Sequence, residues 1–177
     1  MQQRHRLQCA GGHVLVADAD LALALRTEHR VVGSLEGSHP TNPLQNNYLG
    51  LPLVLLPEEA ALLVAEGAAE IAGDPFAWPE TDRDRLRFAL FRDLHARGFY
   101  VTRGVKFGGD YLLYPGEPMR HHSSHVVTLV DRDQGLAPRE LVAVGRVCTA
   151  VKKTRLLSAW DPGRGRFTHI ALSWSGM

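Results

Sequence analysis

Cysteine is scarce here: only Cys9 and Cys148 occur in 177 residues. They lie far apart and in no metal-ligand spacing, and a disulfide framework for so long a chain needs more of them. Reduced thiols and an intracellular compartment are therefore expected. Long apolar runs are missing too. No stretch approaches the roughly 18–20 residues of a membrane span, and the opening MQQRHRLQ lacks the apolar segment of a secretory signal. Net charge is almost nil, +1 from 20 basic and 19 acidic side chains, so any polyanion-binding surface has to be local. Internal repeats and low-complexity tracts are absent. Also absent is a PD…ExK-like constellation, the paired carboxylates and lysine that hold a divalent ion in many DNA nucleases, which makes metal-dependent DNA cleavage a poor reading.

What the chain does contain is enough apolar residue, 45%, for one large core or two small ones. In the first half, His13–Ala17 reads as a strand and Asp18 as the cap of a helix over Ala19–His29. Glu36–Asn47 reads as loop, and Leu51–Leu56 as a buried strand. Pro57 opens a helix with Glu58 and Glu59 at its positive end, stopping near Gly67, and Ala69–Ala72 is again a strand. Gly73–Glu80, with its glycine, two prolines and two acids, is the candidate linker. Thr81 with Asp84 caps a helix striped by Leu86, Leu90 and Leu94 and ended by Gly98. Strands follow at Phe99–Thr102, Tyr111–Tyr114, His125–Val130, Thr154–Ala159 and Phe167–Trp174, with a short helix from Pro138 to Val144 closed by Gly145. The expectation is an α/β (α+β) chain: a small N-terminal α/β domain over 1–72, a linker at 73–80, and a C-terminal domain over 81–177 built on a mixed sheet with helices against its faces.

The chemistry concentrates between Phe107 and Lys153. Tyr114, His122 and Lys153 stand at the ends of apolar runs in polar or Gly/Pro-rich surroundings, with no acidic cluster beside them. A base, an acid and a cation without metal ligands suit a phosphodiester that carries its own nucleophile, the 2′-OH of RNA. A free phenol ionises near pH ~10, and an ammonium held beside one favours the phenolate. Each residue has a plainer reading. A strand-end tyrosine is ordinarily packing, and Lys152–Lys153 a solvated pair. His121, His122 and His125 form an HHxxH pattern, but no acidic or cysteine partner stands at a spacing that would complete a metal site. Gly108 and Gly109 precede no helix, so they make no phosphate cradle.

Taken together, RDLHARGFYVTRGVKFGGDYLLYPGEPMRHH and LVAVGRVCTAVKKTRLL closely resemble the C-terminal domain of tRNA-splicing endonuclease, in particular the eukaryotic catalytic subunit assigned to the 3′ splice site. LGLPLVLLPEEAALL resembles that subunit's N-terminal domain. The resemblance implies a restriction-endonuclease-like catalytic domain that cuts precursor tRNA without a metal or cofactor, leaving a 2′,3′-cyclic phosphate and a 5′-hydroxyl. The family's tyrosine, histidine and lysine fall on Tyr114, His122 and Lys153, with His121, His125 and Lys152 as neighbours. Arg146 and Trp174 match a pair that grips a flipped-out base, through stacking and cation–π contact. The implied partners are a second catalytic subunit and two structural subunits in a heterotetramer, with the strand Phe167–Trp174 as a candidate pairing edge. Location would be nuclear, or cytoplasmic for an archaeal-type homo-oligomer, which is the alternative assembly. A non-catalytic structural subunit is the other alternative, disfavoured by the complete triad. The family's long insertion between the domains is reduced here to Gly73–Glu80.

Overall fold

In HRLQCA, Leu7 and Cys9 alternate with polar residues and are both 1% exposed, which makes His5–Ala10 a strand (β1). The sequence reading leaves β1 unassigned, although Gly11-Gly12 turns it directly into β2 (His13–Val16). The computed structural model describes residues 4–38, 49–133, 135 and 137–173. The chain divides into two units, Met1–Phe88 and Ala89–Met177.

In the first unit, β1 and β2 join β3 (Ser34–Ser38), β4 (Leu49–Leu55) and β5 (Ala69–Gly73) in a sheet of order β3-β4-β2-β1-β5. Only the β1–β5 pairing is parallel. Residues 36–38, expected as loop, belong to β3, where Gly37 and Ser38 pair with β4 and Glu36 falls at a shift in register; the remainder of that expected loop, 39–47, lies outside the described residues. Helix α1 (Ala19–Glu28) starts at Asp18, whose carboxylate accepts from the Leu21 N–H at 2.7 Å. A cap of this kind contributes about 1 kcal/mol. Helix α2 (Pro57–Ala65) begins at Pro57 as expected. Its Glu59 does more than meet the helix dipole. The side chain is fully buried, and it accepts from the N–H groups of Val32, Gly33 and Leu56 at 2.8, 3.0 and 2.8 Å. Burial pushes this carboxyl up, and those three hydrogen bonds pull against the shift. The core beneath is aliphatic: Leu7, Val14, Leu25, Val31, Leu53 and Leu63.

Helix α3 (Asp82–Ala96) is capped by reciprocal bonds between Thr81 and Asp84, at 3.0 and 3.1 Å. Its later turns belong to the second unit, whose sheet runs β10-β9-β8-β7-β6. These strands are β6 (Tyr100–Arg103), β7 (Tyr111–Tyr114), β8 (His125–Leu129), β9 (Thr154–Asp161) and β10 (Arg166–Leu172). Only β8 and β9 pair in parallel, and helix α4 (Pro138–Ala150) makes the crossover between them. The mixed sheet flanked by helices is as expected, but α4 is longer than the sequence suggested. Gly145 does not close it. An interior glycine costs only about 1 kcal/mol relative to alanine, and Cys148, 2% exposed, continues the buried side against Leu112 and Val126. The helix stops where Lys152 takes a left-handed φ of +53°, and the Lys153 N–H returns to the Cys148 carbonyl at 2.9 Å.

Strand parity separates the two faces of this sheet. Tyr111, Leu113, Val127, His125, Ser158, Phe167 and His169 share the α3 side, where the Phe91 ring meets Tyr111 edge-on. Leu112, Tyr114, Val126, Arg155 and Leu157 share the α4 side, with Cys148. On the α3 side, Ser158 Oγ lies 2.8 Å from His169 Nδ1, and His169 Nε2 donates to Asp93 at 3.0 Å. The Ser–His–Asp order is that of a hydrolase triad, yet Ser158 is 0% exposed and can meet no substrate. This chain is a clasp between α3 and the sheet.

Burial raises the Asp93 carboxyl, but the hydrogen bonds and charges of Arg97 and His169 outweigh it and hold the group below its ordinary range. The linked stability is present above the ordinary carboxylate range and is lost as pH falls through the lowered folded value. Asp93→Asn should therefore cost about 1 kcal/mol at neutral pH, the scale for a partly exposed charged pair. Thermal melts of variant and wild type should converge as the pH falls through that lowered folded value; a gap that stays constant on acidification would show that the carboxylate charge is not what holds the clasp.

Candidate active site

Three strand ends meet at one edge of the second sheet. Because β7 and β8 are antiparallel, Leu113 stands opposite His125; because β8 and β9 are parallel, His125 stands opposite Thr154. The end of β7 and the beginnings of β8 and β9 therefore lie in line. Tyr114 closes β7 and Lys153 precedes β9, so their backbones are separated by two strand spacings, about 10 Å. Both side chains lie on the α4 side. Tyr114 is half-buried and packs with Phe107 against Leu112, Val126 and Cys148. The Lys153 ammonium stands 5.3 Å from the centre of the Phe107 ring and donates to the Ser123 carbonyl at 3.1 Å. Thr154 N–H to the Ser124 carbonyl, at 3.0 Å, fastens the same corner.

That carbonyl links the lysine to the histidine loop. Between β7 and β8 the chain turns through PGEPMRHHSS. Glu117 caps the turn by accepting from the Met119 N–H at 2.7 Å, and its carbonyl accepts from the N–H groups of Arg120 and His121. Ser124 N–H to the Leu113 carbonyl, at 2.8 Å, closes the loop. His122 is exposed in it, directly before Ser123. The other two histidines are occupied differently. His121 lies over Gly116 so closely that a Cβ there would come 2.5 Å from its ring. His125 belongs to the α3 side, packs edge-on against Phe99, and is hydrogen-bonded to Ser124 Oγ at 2.8 Å. Burial lowers its pKa, favouring the neutral ring.

The loop between β6 and β7, GVKFGGD, supplies the Phe107 ring through a 3₁₀ turn at Val105–Phe107. Gly104 and Gly109 are required by close approach. A Cβ on Gly104 would come 2.7 Å from the Tyr111 backbone, and one on Gly109 would come 2.5 Å from Val126 Cγ1. The sequence reading gives neither Phe107 nor Ser123 a role; the only signal is that Phe107 opens the motif stretch and Ser123 follows His122 within it. Arg146, expected just after a helix stop, sits instead within α4 and is exposed. Trp174 lies outside the described residues, and β10 ends at Leu172 opposite Arg155, at the same end of the sheet as Lys153. Among the described residues, no group of three or more His, Cys, Asp or Glu side chains is placed to hold a metal ion, and no helix is long and apolar enough to cross a membrane.

A phenol, an ammonium and a loop with an exposed imidazole stand at one end of a mixed sheet, and groups of these kinds can exchange protons and carry charge. The family described as "TSEN34-like, N-terminal domain" matches residues 5–74, and "tRNA intron endonuclease, catalytic C-terminal domain" matches residues 85–164. The chain belongs to the tRNA-splicing endonuclease family. It is 31% identical over 156 residues to the tRNA-splicing endonuclease subunit Sen34 of Mus musculus, covering 81% of this chain and 47% of that protein. It is 37% identical over 102 residues to the human subunit of the same name, covering 56% of this chain and 33% of that protein. A tRNA-splicing endonuclease of Saccharolobus solfataricus is 34% identical over 92 residues, 52% of this chain and 50% of the archaeal one. The chain thus spans half or less of the length of these relatives.

Proposed function

We propose that this chain is a catalytic subunit of a tRNA-splicing endonuclease and cleaves precursor tRNA at an intron boundary, in particular the 3′ splice site. The observation that carries the reading is the meeting of Tyr114 and Lys153 on one side of one sheet end, beside the His122 loop, in a chain of this family. In the reaction, Tyr114 in its ionised form takes the proton of the 2′-OH, whose oxygen attacks the adjacent phosphorus. The bond from phosphorus to the 5′-oxygen breaks, and His122 supplies the proton that this oxygen needs. Lys153 stabilises the charge that builds on the non-bridging oxygens. The products are a 2′,3′-cyclic phosphate and a 5′-hydroxyl, and no redox partner or external nucleophile enters the balance.

Arg146 and Trp174 serve as the base-gripping pair in this reading. A shape as large as precursor tRNA calls for more than 177 residues, which supports an assembly with a second nuclease and two structural subunits, working in the nucleus. The test is cleavage of an intron-containing precursor tRNA by the chain with and without candidate partner subunits, with spermidine holding the RNA folded. EDTA should leave the rate of the chemical step unchanged, and DNA of the same sequence should stay intact. Loss of the chemical step with chelator, or cutting of the DNA, would overturn the mechanism. Solution mass on the same sample separates a heterotetramer from a homo-oligomer.

A further inference from the structure

Arg155 lies on β9 two residues beyond Lys153 and is 5% exposed. Its guanidinium donates from Nη1 to the Phe107 carbonyl at 3.3 Å and from Nη2 to the Gly108 carbonyl at 2.6 Å. Nε has no hydrogen-bond partner, and no carboxylate among the described residues pairs with this charge. A buried cation without a counterion is costly. If filling space were all that the position required, an aliphatic side chain beside Val126, its partner on β8, would do it at less cost. What the arginine does, and an aliphatic residue cannot, is hold two carbonyls of the loop that carries Phe107.

Other bonds of that loop are made within itself or at its root, among them Phe107 N–H and Gly109 N–H to the Gly104 carbonyl, Gly108 N–H to the Val105 carbonyl, Gly104 N–H to the Asp110 carbonyl, and Asp110 N–H to the Val127 carbonyl. Among the described residues, Arg155 is the side chain that hydrogen-bonds the tip of the turn to β9, the strand that Lys153 introduces. Its two bonds thus connect the backbone bearing the aromatic ring to the strand bearing the ammonium that faces it.

We propose that Arg155 is a positioning residue of the site, tethering the Phe107–Gly108 carbonyls so that the Phe107 ring holds the Lys153 ammonium in place. The catalytic part of this inference rests on the role of Lys153 given above. Placement errors of about 1 Å cost on the order of 10²-fold in rate, so the effect should fall on turnover and not on RNA affinity.

The test uses the full chain assembled with its partners and compares Arg155→Met, Arg155→Lys, Phe107→Leu and the Arg155→Met/Phe107→Leu double variant. Arg155→Met should lower kcat roughly 10–100-fold with KM within about twofold. Arg155→Lys should recover part of the loss, since one ammonium can still hold a carbonyl. The double variant should be no slower than the slower single variant. A readout independent of catalysis is the NMR signal of the Lys153 ε-methylene in ¹³C-lysine-labelled chain, assigned with Lys153→Met. The Phe107 ring current displaces it in the wild type, and Arg155→Met should return it toward the position seen in Phe107→Leu. Wild-type turnover in Arg155→Met, additive losses, or an unmoved ε-methylene signal would each overturn the proposal. If the wild type cuts no precursor tRNA, the proposed function fails, while the NMR comparison still decides the tether. Should Arg155→Met not fold, Arg155→Lys and Phe107→Leu carry both readouts.

Discussion

A precursor tRNA with a single 2′-deoxyribose immediately 5′ of the scissile phosphate is expected to bind normally and not be cut there. In the proposed reaction the substrate is its own nucleophile, so removing that oxygen removes the bond-forming atom and leaves the protein no substitute. The loss should exceed any side-chain effect, because even a missing acid or base typically costs only about 10²–10⁴-fold. Affinity should hardly change: RNA of this size is read through shape and many backbone contacts, of which one hydroxyl is a small part. The deoxy substrate should therefore compete with intact precursor at nearly its own KM while the other splice site is still processed. Cleavage at the substituted position, with water as nucleophile, would sink the transesterification mechanism and the role of Tyr114 with it.

The second large effect belongs to His122. Replacing it with alanine should slow cleavage about 10²–10⁴-fold, because the 5′-oxygen then departs as an unprotonated alkoxide. Sulfur at that bridging position is the diagnostic substitution. A thiol ionises near pH ~8.5, far below an alcohol, so a thiolate leaves without an acid. His122→Ala should regain most of its lost rate on the 5′-thio substrate, whereas Lys153→Met, which removes charge from the phosphorus centre, should not. His121→Ala should retain most activity, since that ring rests on Gly116. His125→Ala should act through stability, since its ring belongs to the opposite face of the sheet. Equal losses at His121 and His122, or no rescue by sulfur, would reassign the acid.

Local signals made much of this legible in the sequence. Asp18, Pro57 and the Thr81–Asp84 pair marked helix starts because capping is settled within one turn. The strand Tyr111–Tyr114 was read to the residue, since an apolar run between Gly/Asp and Pro/Gly punctuation has few alternatives. The misreadings arose where distant packing outweighed local preference. Gly145 reads as a stop, but the burial of Cys148 under the sheet carries α4 onward, and a lysine in a left-handed conformation ends it instead. Arg155 carries no signal of its own in the sequence, because the two carbonyls it holds come from a loop nearly fifty positions earlier. Ser158, His169 and Asp93 carry no local pattern at all, because they come from three separate elements. The residues proposed for catalysis were picked out by motif; the groups that position them became visible only in three dimensions.

The lone parallel pairing in the second sheet bears on when the protein becomes competent during synthesis. Tyr114 and Lys153 become neighbours only after α4 has crossed over and β9 has paired beside β8. Such non-local closure comes late and slowly compared with helices and hairpins. A ribosome-bound chain ending in α4 would already hold β6 through β8 with Tyr114 and the histidine loop, and it would lack the ammonium. On the proposed mechanism, a product that stops short of β9 holds Tyr114 and the histidine loop without Lys153, and it is expected to leave RNA uncut.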